Sequence, residues 1–284
     1  TTMITGGKAP DVMLLFETDA IRLAAANQIV SLDEYLQDGD LASDDFIPAV
    51  GDLAAKMDGT YGLPWSYATQ VLFYNKDLFD AAGVEYPTAD WTWDDYRTAA
   101  NAVTSGSGND KVWGSDKYSF AGIWYSLAGQ AGDEVIDGEG NLVLGDGMQK
   151  AIEFTNELVN VDQVQPQPAA AGTDVTDLFA SGKAAMSLNG SWGALTYKDA
   201  PFNWDIAPMP AEERQYTSLH TGFYTISESS EKKDAAWTFI NFMMSEEGQT
   251  LTSEATNNPS AITAYADSTA WQQGGTGGLS LIHI

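Results

Sequence analysis

Cysteine is absent from all 284 residues, so disulfides, thiolate metal sites and cysteine nucleophiles are excluded together. Histidine is almost absent, with only His220 and His283 in the chain. That leaves no ordinary zinc ligand set and no choice of base for a Ser/His/Asp arrangement. Basic residues are scarce: 13 Lys and Arg face 40 Asp and Glu, a formal charge of −27. No basic patch can offset phosphate charge on such a surface, which excludes nucleic-acid partners and disfavours anionic lipid faces. Long apolar runs are missing too. The longest, Val12 to Phe16, has strand length and falls far short of the roughly 18 residues of a membrane-spanning helix. No leader with a charged start, apolar core and small-residue cleavage site stands at the N-terminus. Gly129, Gly132, Gly138 and Gly140 lack the spacing of a phosphate-cradling loop, so nucleotide binding has no support.

What is present points to a folded chain. Apolar residues make up 44% and aromatics 11%, with nine Trp, a composition that excludes disorder despite the acid excess. The length suits two domains of about 100 to 200 residues. Asp11 to Phe16 predicts a buried strand and Ala20 to Val30 a helix. A short strand is expected at Val71 to Tyr74, and Thr92 with Asp95 forms a near capping box for a helix reaching about Thr104. Met148 to Val159 has helical spacing through Met148, Ile152, Leu158 and Val159. Ala184 to Leu188, Asn203 to Ala207 and Phe223 to Ile226 read as strands, and a helix from about Ser230 places Ala236, Phe239, Ile240 and Met243 on one face. Strands alternating with helices imply an α/β architecture. Ser105 to Asp110 and Pro166 to Gly172 read as loops or linkers.

Few residues offer catalytic chemistry. Asp137-Gly-Glu139-Gly-Asn141 alternates oxygen ligands as a calcium loop does, but it lacks the acid at the twelfth position and reads better as a hairpin turn. Forty carboxylates supply so many pairs that an acid/base glycosidase reading is unconstrained. His220 stands at a strand entrance, where a lone histidine is more often structural than ligand-binding. A sharper pattern is the placing of aromatics beside Gly, Pro and Asn in expected loops: Trp65, Trp124-Tyr125, Trp192 and Phe223-Tyr224. A sugar ring has an apolar C–H face and a rim of hydroxyls, which aromatic platforms and planar polar side chains complement. Any one such Trp could equally be core.

The order of several short motifs resembles the family 1 extracellular solute-binding proteins, which are maltose-binding-protein-like sugar-binding components of ABC transporters. They include Gly7-Lys-Ala-Pro-Asp-Val12, Asp58-Gly-Thr-Tyr-Gly-Leu-Pro64, Tyr74-Asn-Lys-Asp-Leu-Phe79, Phe179-Ala-Ser-Gly-Lys-Ala-Ala-Met186 and Asn189-Gly-Ser-Trp192. Lys233-Asp-Ala-Ala-Trp237 follows, and the match runs to about Asn258. The resemblance implies an α/β two-lobe periplasmic-binding-protein (Venus flytrap) fold, type II-like, with ligand gripped in an interlobe cleft. It implies an N-terminal lobe of residues 1–70 plus 225–258, lacking its first strand–helix–strand, and a second lobe of 71–224. Residues 259–278 would return toward the second lobe and stop short. The closing Leu279-Ser-Leu-Ile-His-Ile284 reads as a sequencing artefact.

Carried over residue by residue, the resemblance gives ligand-binding roles to Glu17, Asp19, Trp65, Tyr67, Trp124, Trp192 and Phe223, with Trp192 as the stacking aromatic. Glu17 or Asp19 would accept from sugar hydroxyls, although either could be a helix-start acid instead. The implied function is reversible binding of a mono- or oligosaccharide and delivery to ABC permease subunits, with no cofactor, no metal and no catalysis. A monomer is expected, periplasmic or lipid-anchored at the bacterial cell surface. The alternatives are another polar solute, such as a polyamine or peptide, and a carbohydrate-active hydrolase.

Overall fold

The computed structural model describes residues 2–36, 41–118, 120–135, 142–167 and 177–266. The Asp137–Asn141 turn, part of the 166–172 loop and the closing hexapeptide lie outside the described residues.

In chain order the elements begin with α1 (Thr2–Thr5), β1 (Val12–Phe16), α2 (Glu17–Ala25) and α3 (Pro48–Ala54). Next come β2 (Leu63–Asn75), α4 (Lys76–Ala82), α5 (Trp93–Val103), β3 (Trp113–Ser115) and α6 (Ala121–Gln130). They continue with α7 (Asp146–Asn156), β4 (Ala184–Gly190), α8 (Gly193–Tyr197) and β5 (Trp204–Ala207). The last are β6 (Leu219–Ile226), α9 (Lys233–Met243), α10 (Glu246–Thr256) and α11 (Thr263–Ala266). The architecture is α/β. The described residues divide into two compact units, one holding residues up to Ala68 and Leu219–Ala266, the other Thr69–Ser218. The first boundary falls inside β2 and the second just before β6.

In the first unit β1 pairs antiparallel with β6, from Val12 opposite Ile226 to Phe16 opposite Gly222. This pairing carries Leu219–Tyr224 into the first unit, although the resemblance implied a boundary near Gly222 to Thr225. β1 is also less buried than its composition suggests. Its side chains alternate, with Met13 in the core while Leu14 is 48% and Phe16 66% exposed. β6 is the described partner of β1; Met13 and Leu15 pack with the α2 cluster and Val12 leans on the other core cluster, while Leu14 and Phe16 project outward. Two apolar clusters build this unit. One holds Leu32, Phe46, Leu63, Ile226 and Ile240, the other Met13, Leu23, Ile29, Met57 and Phe223.

In the second unit β2 lies between β4 and β5, with Leu72 opposite both Leu188 and Ala207. Val71, Leu72 and Phe73 are fully buried, which is why this stretch reads as an unbroken apolar run. β3 joins β4 in parallel, and the connection between them carries α6 and α7. The core gathers Leu72, Phe79, Trp93, Tyr96, Leu127 and Met186. The capping box expected at Thr92 is formed: Asp95 N–H donates to Thr92 Oγ1 at 3.2 Å, and Thr92 N–H donates to Asp95 Oδ2 at 2.9 Å.

Several boundaries move. α2 starts at Glu17 and ends by Ala25, where Asn27 at φ 51° turns the chain. β2 runs 13 residues, because Ser66, Thr69 and Gln70 take buried strand positions that their polarity hides. On α7 the buried residues are Ala151 and Phe154, whereas Ile152 faces solvent. On α9 Ala236 and Ile240 are buried while Phe239 is half exposed. α10, capped by the Ser245 hydroxyl accepting from Gly248 N–H, carries too few apolar residues to show a periodic face.

Candidate functional site

The first unit places Glu17 as the opening residue of α2, directly after β1. Its Oε1 lies 3.1 Å from Nδ1 of His220, the second residue of β6, and both side chains are about four-fifths buried. The other carboxylate oxygen, Oε2, is buried without a hydrogen-bond partner. Two residues beyond His220, Gly222 faces Phe16 across the ladder. The Trp65 indole occupies the space over Gly222: a Cβ there would stand 2.4 Å from Trp65 Nε1. That nitrogen is also buried and unpartnered. One carboxylate oxygen of Glu17 and the indole donor of Trp65 thus each lack a protein partner. Leaving such groups unmade costs about 1–3 kcal/mol each, and more for a charge, which a hydroxyl-bearing ligand would relieve.

The remaining expected residues of this unit divide differently. Asp19 is half exposed and already engaged by Arg22, 2.7 Å away one helical turn on, so it serves as a helix-start acid. Tyr67 is buried beside Leu63, with its N–H donating to the Pro259 carbonyl. Phe223 is a core residue. It is 0% exposed among Met13, Leu23 and Met57, because strand alternation turns it away from the face that Gly222 and Trp65 share. A ligand-contact role, expected of Phe223 from the sequence, does not suit a side chain so enclosed.

In the second unit Trp192 follows β4 and caps the short α8. Its partly buried ring lies across Gly190, where an added Cβ would come within 2.3 Å of the ring carbons. Phe120 meets it edge to face, with centroids 5.5 Å apart and planes at 89°. Phe120 is solvent-facing and escaped the sequence reading; its signal was an aromatic standing just before α6. Trp124, on the first turn of α6, packs edge-on against Tyr118 at 5.7 Å and leans on the core. Its role is more structural than that of Trp192.

Asp116 is the only fully buried charged residue among the described residues. Burial raises its pKa, while N–H groups of Phe179 and Lys117 pull it back. Its oxygens accept from Lys117, Leu178 and Phe179, which makes it a clamp on two loops. Among the described residues no cluster of three or more His, Cys, Asp or Glu side chains could hold a metal ion, and no helix is long and apolar enough to cross a membrane.

The sequence profile of the bacterial extracellular solute-binding protein family matches residues 1–250. The chain belongs to this family. Its fold matches that of the ABC substrate-binding protein Lmo0181 of Listeria monocytogenes, solved in complex with cycloalternan. That likeness has a TM-score of 0.84 and 30% identity, covering 96% of this chain and 70% of that one. The maltodextrin-binding protein MdxE of Bacillus subtilis is 28% identical over 216 residues, 72% of this chain and 48% of that protein. A maltooligosaccharide ABC transporter solute-binding lipoprotein of Streptococcus pneumoniae is 24% identical over 272 residues, 92% of this chain and 62% of its own. The chain therefore spans roughly half to three fifths of the length of these curated relatives. Family and neighbours are binding proteins, and the family is extracellular.

Proposed function

We propose that the protein captures a mono- or oligosaccharide outside the cytoplasmic membrane and hands it to the transmembrane subunits of an ABC importer. The observation that carries this reading is two buried, unpartnered polar atoms in the first unit, Glu17 Oε2 at the start of α2 and Trp65 Nε1 over Gly222. An acceptor and a donor held in this way suit neighbouring hydroxyl groups, and the Trp192–Phe120 platform of the second unit suits a sugar's C–H face. The names of the relatives, which concern maltodextrin, maltooligosaccharide and cycloalternan, support carbohydrate over other polar solutes. In this reading Glu17 and Trp65 of the first unit and Trp192 of the second touch the ligand. Ligand binding favours the transport-competent conformation by population shift, and no bond is made or broken. The protein acts as a monomer in the periplasm or as a lipid-anchored protein of the bacterial cell surface.

Thermal unfolding against glucose, maltotriose, mannobiose, cycloalternan, a polyamine and a short peptide tests this reading, since a ligand that binds only the folded state raises the midpoint by mass action. The expected result is a shift with a sugar, which is recovered chemically unchanged. A shift with the polyamine or peptide alone would overturn the carbohydrate assignment, and release of new reducing ends would replace capture with hydrolysis.

A further inference from the structure

Gln70 of β2 stands directly opposite Gly190 of β4 in the antiparallel ladder. Residues so paired project to the same face, with side chains about 5 Å apart. Gly190 contributes no side chain to that face, and the Trp192 ring fills its place. The indole therefore lies beside the Gln70 side chain. The Gln70 backbone is fully used: its N–H donates to Thr217 Oγ1 at 3.0 Å, and the same hydroxyl donates to its carbonyl at 3.0 Å. Its side chain is not. The residue is 0% exposed, and neither Nε2 nor Oε1 has a hydrogen-bond partner among the described protein groups.

An unpaired amide in a protein interior lowers stability, and leucine or methionine would fill much the same volume without that cost. Interior polar groups left in this condition call for a partner encountered in some other state. The covering group lies at the edge of the unit: Trp192 keeps part of its surface accessible, meets Phe120 edge to face, and precedes a helix of only five residues. An amide presents one donor edge and one acceptor edge, and a hydroxyl can answer either.

We propose that Gln70 is a specificity-determining residue of the second unit, whose amide hydrogen-bonds a hydroxyl of the bound carbohydrate when the Trp192 ring shifts off Gly190. The proposal rests on the carbohydrate reading above and goes beyond it by assigning a buried residue that no surface aromatic pattern marks. It also gives Trp192 a second task, that of covering the amide while the site is empty.

The test compares wild type with Gln70→Leu and Gln70→Met, measuring the ligand-free unfolding midpoint and the Kd for whichever of maltotriose, mannobiose or cycloalternan binds. The expected result is an unchanged or higher midpoint with affinity about tenfold weaker, the loss expected when one well-made hydrogen bond disappears. A set of monodeoxy analogues of the same sugar adds a readout that a packing role would not move. One missing hydroxyl should cost wild type about tenfold and the variants nothing. Affinity within twofold of wild type in both variants would overturn the proposal and leave the carbohydrate reading standing. A clear fall in the ligand-free midpoint, or failure of both variants to fold, would also overturn it, because the amide would then be satisfied without ligand. A wild-type chain that binds none of the sugars would overturn both readings.

Discussion

The two units present their candidate contacts in opposite ways. The first offers polar atoms held nearly out of water, with Glu17 oriented by His220 and the Trp65 nitrogen pressed over Gly222. The second offers aromatic surface, with Trp192 laid on Gly190 and Phe120 against it, and keeps its unpaired amide beneath. In both, a strand glycine makes room for an indole. The glycine at the ladder decides where the ring can lie, and the ring then decides which polar atoms stay covered. A sugar has both an apolar face and a hydroxyl rim, so a division of labour between a polar patch and an aromatic one fits its chemistry.

Substitutions can break this comparison, the largest effect coming from a residue that belongs to neither patch. Phe223→Ala should cost about 3–5 kcal/mol of stability, read by chemical denaturation, as removal of a fully enclosed phenylalanine does. Weakened binding without lost stability would return Phe223 to the site. Trp192→Ala should leave the fold in place, because the ring lies outside the buried core clusters, and should weaken sugar binding by about 2 kcal/mol, or roughly thirtyfold, in a calorimetric titration. Retained affinity would make the second patch a surface ornament. Glu17→Gln exchanges a charged acceptor for a neutral amide of the same shape, and about tenfold in Kd should go with it. If affinity holds, the unpartnered oxygen does not meet ligand.

The smallest effect sharpens the contrast between neighbours on one helix turn. Asp19→Ala should change stability by at most about 0.5 kcal/mol and affinity not at all, since its exposed pair with Arg22 is a surface contact. A large loss of affinity would show that Asp19, not Glu17, is the hydroxyl acceptor.

The sequence was most readable where one physical signal dominates. Thr92 and Asp95 announce their capping box because its chemistry is local, and the interior of β2 announces itself at Val71 to Phe73 because burial on both faces demands apolar residues. Legibility fails where partners decide. The composition of β1 suggests a buried strand, yet its burial alternates because the α2 cluster covers the Met13 and Leu15 face and leaves Leu14 and Phe16 exposed. Phe223 looks like a loop aromatic until the Phe16–Gly222 register fixes which face it takes. Gln70 is invisible in sequence, since a polar residue in an extended stretch says nothing about the partner its amide lacks. Of the candidate contacts, Trp65 and Trp192 stood out by sitting beside loop glycines and prolines, and Glu17 by following β1. Asp19 carried the same signal, and only its Arg22 contact separates the two.

Calorimetric titration of the bound sugar into wild type, Glu17→Gln and Trp192→Ala tests most directly whether each of the two unlike patches meets ligand. The account predicts that both substitutions weaken sugar binding. Affinity unchanged in either variant while the fold persists would contradict it.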